Sequence, residues 1–203
     1  MNHPLTRSPQ GFGRVFCRLI DWLGTPIAIV ALFAPAPARA TSEEGAKRCV
    51  TEPFREEHAG IREHLGHIQQ KAGALRTVVP GEQQMSMLFI SKFLNEHIRA
   101  HAEWEEKVLY PVVDRLAKSG AEAFTSTMRY EHGVVGRWID ELTTESEKAT
   151  PDLEAFARRT DNLLGLLAAH FEEEEEVLLP LVEKGMSPEQ FKREIMDKME
   201  PHG

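Results

Sequence analysis

Two stretches of the chain carry the same chemistry in the same frame. His101 to Pro111 reads HAEWEEKVLYP and His170 to Pro180 reads HFEEEEEVLLP, both His-x-x-x-Glu-Glu-x-Val-Leu-x-Pro without a gap. In an α-helix, residues four apart lie one above the other on one face. His101 with Glu105, and His170 with Glu174, would therefore each aim an imidazole and a carboxylate at one place. Such a pair suits a metal ion better than it suits a folded core.

Four long helical segments follow from the breakers that bound them: Val79-Pro80-Gly81, Ser119-Gly120 and Thr150-Pro151, with Gly185 closing the last. Ser119 with Glu122 reads as a capping box, Thr150-Pro151 as a helix start, and Ser187-Pro188-Glu189-Gln190 as the cap of a short fifth helix. No segment alternates like a strand. Short connections make successive helices antiparallel neighbours, so the expected fold is all-α: an up-down-up-down antiparallel four-helix bundle with a short C-terminal fifth helix.

Each long segment carries an apolar stripe at steps of three and four, and the stripes separate candidate ligands from bystanders. The first runs Phe54, His58, Ile61, Leu65, Ile68, Leu75, and the third runs Met128, His132, Val135, Ile139, Leu142. The second continues from Met87 through Ile98, His101 and Glu105 to Val108 and Val112. The fourth runs from Phe156 through Leu167, His170 and Glu174 to Val177 and Leu181. Each stripe holds one His, and two add a Glu. At about 1.5 Å rise per residue, His58 and His101 both lie roughly 27 Å from the turn between their helices. His132 and His170 agree across their own turn to within about one helical turn. Six groups thus converge on one level: His58, His101, Glu105, His132, His170 and Glu174.

Burying an ionised carboxylate without a partner costs several kcal/mol or more, and no Lys or Arg stands on any stripe at that level. A cation answers the charge. Imidazole and carboxylate without thiolate favour iron, manganese or zinc. Six ligands exceed one tetrahedral zinc and match two metals bridged by Glu105 and Glu174. The Glu-x-x-His pairing of ferritin-like bundles is absent, because Arg55, Ile98, Arg129 and Leu167 stand three residues before the four histidines.

The remainder of the chain narrows the setting. Its 203 residues have a formal net charge of -8, against a nucleic-acid partner or an anionic membrane surface. Two cysteines, Cys17 and Cys49, are too few for a zinc or Fe–S set. Residues 1–40 read as a signal peptide, with Arg7, Arg14 and Arg18 before the apolar run Trp22 to Ala34 and an A-x-A site at Ala38-Arg39-Ala40. Residues 41–50 are a linker, 51–185 the bundle, and 186–203 the short helix and tail. Export to the periplasm or outside the cell is the expected localisation, without stable membrane insertion after leader removal.

The doubled motif, with Glu57-His58 and Glu131-His132 on the partner helices, resembles the hemerythrin-like, or HHE cation-binding, domain family over about residues 51 to 185. The resemblance implies a non-haem di-iron centre in a four-helix bundle, its two iron ions bridged by two carboxylates. It also implies a small ligand: oxygen, nitric oxide or peroxide. One departure stands out. Oxygen-carrying members supply a fifth His from a His-x-x-x-His pair on the third helix, whereas Met128 and Gly136 flank His132 here. An open coordination position, with a gap beside it at Gly136, would admit such a ligand.

Other residues read as bystanders. His64, His67 and His97 lie off the stripes. Glu106 and Glu175 follow the two inward glutamates and could orient ligands. Trp104, Tyr110 and Trp138 read as packing, and Tyr130 turns away from the site. With no inward Tyr, Cys or Lys, any reaction would belong to the metal. The expectation is a metal- and small-ligand-binding protein. The alternatives are an iron-based enzyme reducing peroxide or nitric oxide, and an iron sensing or storage protein.

Overall fold

A computed structural model describes residues 49–120 and 122–198. The expected leader (1–40), most of the expected linker (41–50) and residues beyond 198 lie outside the described residues. Helix α1 spans Glu52–Ala74. Helix α2 runs without a break through Pro80–Phe93, Leu94–Arg99, Ala100–Trp104, Glu105–Leu109 and Tyr110–Ala117. Helix α3 spans Ser126–Ser146, and α4 joins Leu153–Glu173, Glu174–Leu178 and Leu179–Gly185. Helix α5 is Pro188–Glu194, followed by a 3-10 turn at Met196–Lys198. Among the described residues there is no strand. Helix α1 packs on α2 and α4, and α3 packs on the same two, so the long helices form an all-helical bundle.

Caps fix the ends. The expected capping box at Ser187 forms, Ser187 accepting from the Gln190 N–H while the Gln190 side chain accepts from the Ser187 N–H. The expected start at Thr150-Pro151 falls two residues later, where Asp152 accepts from the Ala155 N–H. The box expected at Ser119 and Glu122 does not form. Glu122 instead takes a left-handed backbone, φ 61°, and α3 starts at Ser126. Asp114, buried near the end of α2, accepts from the Phe124 and Thr125 N–H groups and from the Thr125 hydroxyl. A carboxylate from the neighbouring helix thus anchors the loop that leads into α3. At the opposite end of α4, a Cβ on Gly185 would stand 2.7 Å from Leu116 Cδ2, so glycine lets α4 close against α2.

The apolar stripes hold up to the glutamates and shift beyond them, although Val112 stays buried as expected. Leu109 and Leu178 are buried where Val108 and Val177 were expected, and Val177 is 44% exposed. Val182 is fully buried where Leu181, only partly buried, was expected. The cause is a π turn at the same place in both copies, Glu105–Leu109 and Glu174–Leu178. The Tyr110 N–H donates to the Glu105 carbonyl, and the Leu179 N–H to that of Glu174, five residues back. Pro111 and Pro180 follow at once. A proline within a helix lacks the N–H for its own bond and its ring crowds the carbonyl four residues before it, which a wider turn relieves. One extra residue per copy rotates everything after it.

Helix α5 covers one end of the bundle. Phe191 and Ile195 join Phe54, Trp104, Leu109 and Val113 in one apolar cluster, and the Trp104 indole N–H donates to the Lys198 carbonyl at 3.3 Å. Each such fully buried side chain contributes roughly 1.5–3 kcal/mol. A cluster of this size can carry a polar layer beside it.

Candidate metal centre

That polar layer lies where the second and fourth helices change from α to π. His58, Glu105 and Glu174 are 0% exposed and His170 is 1% exposed. His101 and His132 are also buried. All six expected residues converge. His58, His101, Glu105 and Glu174 each have a ligand atom within 4.8 Å of the others, and Glu105, His132 and His170 form a second such group.

The carboxylates stand between the two groups. Glu105 Oε1 lies 2.9 Å from His101 Nε2 and 3.8 Å from His58 Nε2, whereas Glu105 Oε2 lies 3.3 Å from His132 Nε2. Glu174 Oε2 lies 3.5 Å from His58 Nε2 and Glu174 Oε1 3.7 Å from His170 Nε2. Each carboxylate thus turns one oxygen to each histidine pair. Close as they are, both Glu105 oxygens, Glu174 Oε2, His58 Nε2 and His101 Nε2 are buried without a hydrogen-bond partner. Buried polar atoms are nearly always partnered. Lone pairs aimed at shared points and not at donors are what a cation would use.

Outside this shell, each histidine leans on a glutamate from the preceding helix around the bundle. His58 Nδ1 donates to Glu175 Oε1 (3.0 Å), His132 Nδ1 to Glu106 Oε1 (3.1 Å), and His170 Nδ1 to Glu131 Oε2 (2.8 Å). His101 Nδ1 lies 3.4 Å from Glu57 Oε1. An ionised carboxylate only accepts, so Nδ1 carries a proton and Nε2 is the atom left facing inward, where a metal would take it. Glu175 is itself held by Arg62 Nη1 at 2.7 Å. Burial works against its charge, but Arg62 and His58 outweigh burial and keep the carboxyl below its usual range.

Without a cation, the layer meets its charge only by keeping a proton on His101 beside Glu105 and by neutralising Glu174. Burial disfavours ionised Glu105, yet the His101 charge and the neighbouring His132 and His58 rings hold its carboxyl well below the usual range. Glu174 is pushed well above that range by burial and then by the Glu105 charge. Two carboxylates in one dry layer, of which the surroundings ionise only one, fit a cationic ligand.

A family model described as the hemerythrin HHE cation binding domain matches residues 49–182. The chain belongs to that family. Neither curated proteins nor solved structures give a match. Within this HHE chain, Glu57 and Glu131 are the supporting residues that the stripes could not single out, although both sit in the Glu-His pairs of the motif. Glu106 and Glu175 take the orienting position expected of them. Replacing Glu131 with Gln should weaken metal binding 10- to 100-fold, measured by competition against a chelator of known affinity. An unchanged affinity would mean the Nδ1 contact is incidental.

Tyr110 packs in the apolar cluster as expected, but it also reaches the polar layer. Its hydroxyl donates to Glu174 Oε1 at 2.8 Å and lies 3.2 Å from His132 Nε2 and 3.4 Å from His170 Nε2. The layer therefore does contain an inward tyrosine. Burial, and then the Glu105 and Glu174 charges, push its phenol far above the usual range, so the side chains by themselves keep it protonated. In an α-helix, residue 110 would point away from residue 105. The π turn between them swings it inward. Gly136 also differs from expectation: Arg99 Nη1 stands 3.5 Å from where a Cβ would lie, and Arg99 Nη2 donates to the Gly136 carbonyl and to Asp140. The small residue makes room for a guanidinium and leaves no gap.

The remaining bystanders stay outside the layer. His67 is exposed and His64 half-buried 5.8 Å from the Phe93 ring, while His97 lies against Phe93 at 4.8 Å. Trp138 packs under the Arg159 guanidinium, and Tyr130 is 69% exposed. Of the run Glu172 to Glu176, only Glu174 is buried. No helix among the described residues is long and apolar enough to cross a membrane.

Proposed function

We propose that this chain, folded as an up-down-up-down bundle, holds a carboxylate-bridged non-haem di-iron centre and binds oxygen, nitric oxide or peroxide there. His58 and His101 serve one iron and His132 and His170 the other, with Glu105 and Glu174 as bridges. The observation that carries this reading is the split carboxylate, each of Glu105 and Glu174 turning one oxygen to each histidine pair. Two histidines and two shared carboxylates are four donors, which would leave positions open on a six-coordinate non-haem iron. Iron bound here would supply one-electron exchange and affinity for small ligands. The protein orients four imidazoles through Nδ1, keeps those protons outward, and excludes bulk water with Phe54 and Phe171, both 1% exposed.

Metal analysis and visible absorption of the purified protein, with and without oxygen, test this reading. Two irons per chain and an oxygen-dependent visible band are expected. One zinc per chain in a colourless solution would sink it. The proposal also takes residues 1–40 as an export leader, and the mass of the same sample, recovered from an exporting host, reports whether cleavage follows Ala40.

A further inference from the structure

The two halves of the layer are unequal. Four residues group on the His58 side but only three on the other, Glu105, His132 and His170. The repeat breaks its own symmetry at one informative place, with Tyr110 in the first copy where the second has Leu179. Both are fully buried, so the first copy brings a phenol inside where the second has only an aliphatic side chain.

That hydroxyl is spaced like a ligand. Tyr110 Oη lies 3.2 and 3.4 Å from His132 Nε2 and His170 Nε2, and those two nitrogens are 3.0 Å apart. Donor atoms held about 2.0–2.2 Å from one metal lie roughly 3.0–3.5 Å from one another. The three atoms thus outline one face of a coordination shell. The tyrosine ring is fixed for the purpose, stacked on His132 at 5.3 Å and 17°, with the Arg129 guanidinium 5.3 Å from its centroid.

We propose that Tyr110 is a metal donor, its oxygen adding to His132, His170 and the two shared carboxylates a ligand that the other half lacks. The identity of the metal rests on the di-iron reading above. On coordination the phenol O–H bond breaks as the oxygen–metal bond forms. The phenol proton passes first to Glu174 Oε1, already its acceptor at 2.8 Å, and leaves to solvent as Glu174 takes its shared position as a carboxylate; no electron moves. The second half then has a phenolate where the first has none, so the two metals differ in charge environment and in exchange rate.

The chain has two tyrosines, and Tyr130 lies on the surface, so a phenolate signal can be assigned. Protein loaded with ferric iron should show a visible phenolate-to-iron band, with tyrosine ring modes in resonance Raman excited within it. Y130F should keep both. Y110F should lose both and bind its second iron at least tenfold more weakly. Two irons in the wild type without ring modes would overturn the proposal and leave the di-iron reading standing, with Tyr110 a hydrogen-bonding residue only. Ring modes lost in Y130F would overturn it as well, and no iron in the wild type would overturn both. The comparison of wild type with Y130F decides the matter even if Y110F fails to fold.

Discussion

Withdrawing the metal should lower the melting temperature by roughly 8–16 °C. A ligand that binds only the folded state, present at 1,000 times its dissociation constant, stabilises that state by about 4 kcal/mol. For a chain of this length, each kcal/mol is worth about 2–4 °C. The unfolded chain offers no converging donors, so the whole binding energy falls on the native side. Without the cation, Glu105 and Glu174 face each other in a layer that burial has dried, and Glu174 must be neutralised at a cost. Thermal unfolding monitored by circular dichroism, after chelation and again after metal is restored, measures the difference. A melting temperature that moves by less than about 2 °C and does not recover on reloading would break the link between metal and fold.

His170→Ala and His64→Ala should part company completely. His170 is 1% exposed, presents Nε2 to the layer, and gives its Nδ1 proton to Glu131. Truncating it removes a metal donor, opens a cavity and strands a glutamate. The metal should fall to one ion or fewer per chain, with about 2–4 kcal/mol of stability lost even in metal-free protein. His64 lies half-buried against Phe93, off the layer. Its loss should leave the metal content unchanged and cost within about 1 kcal/mol. Iron content per chain and urea unfolding of both variants give the result. Equal metal loss in the two would mean that the inward stripe does not select the ligands.

What could be read from the letters alone has a clear physical boundary. The six donors were legible because steps of three and four keep pointing inward up to Glu105 and Glu174, even through the π turn at Leu94–Arg99 of α2. Beyond those two residues the same arithmetic held for Val112, but it put Val177 in the core and kept Tyr110 out of the polar layer. The sign of failure was present in the sequence: Pro111 and Pro180 stand six residues after the inward glutamates, in mid-helix, where a straight α-helix cannot accept them. A wide turn before each proline, applied as a one-residue shift, would have brought Leu109, Leu178 and Tyr110 inward. Glu57 and Glu131 were illegible for a different reason. Their partners sit on a neighbouring helix, and a stripe along one helix says nothing about reach between helices. The Asp114 anchor for α3 is of the same kind, since a local Ser-x-x-Glu pattern competed with a contact ten residues away and lost.

The four contacts between imidazoles and outer glutamates close on themselves: α1 meets α2 through Glu57 and His101, α2 meets α3 through Glu106 and His132, α3 meets α4 through Glu131 and His170, and α4 returns to α1 through Glu175 and His58. A hoop behaves differently from four separate clasps. Sliding any one helix by a turn breaks two contacts at once, on both of its flanks, so helix registry and ligand orientation are a single degree of freedom. Flexing is left to the ends of the rods, while the middle can loosen only if all four let go together. Damage at one link should therefore make damage at the next cheaper, and the protein should lose its site as a unit.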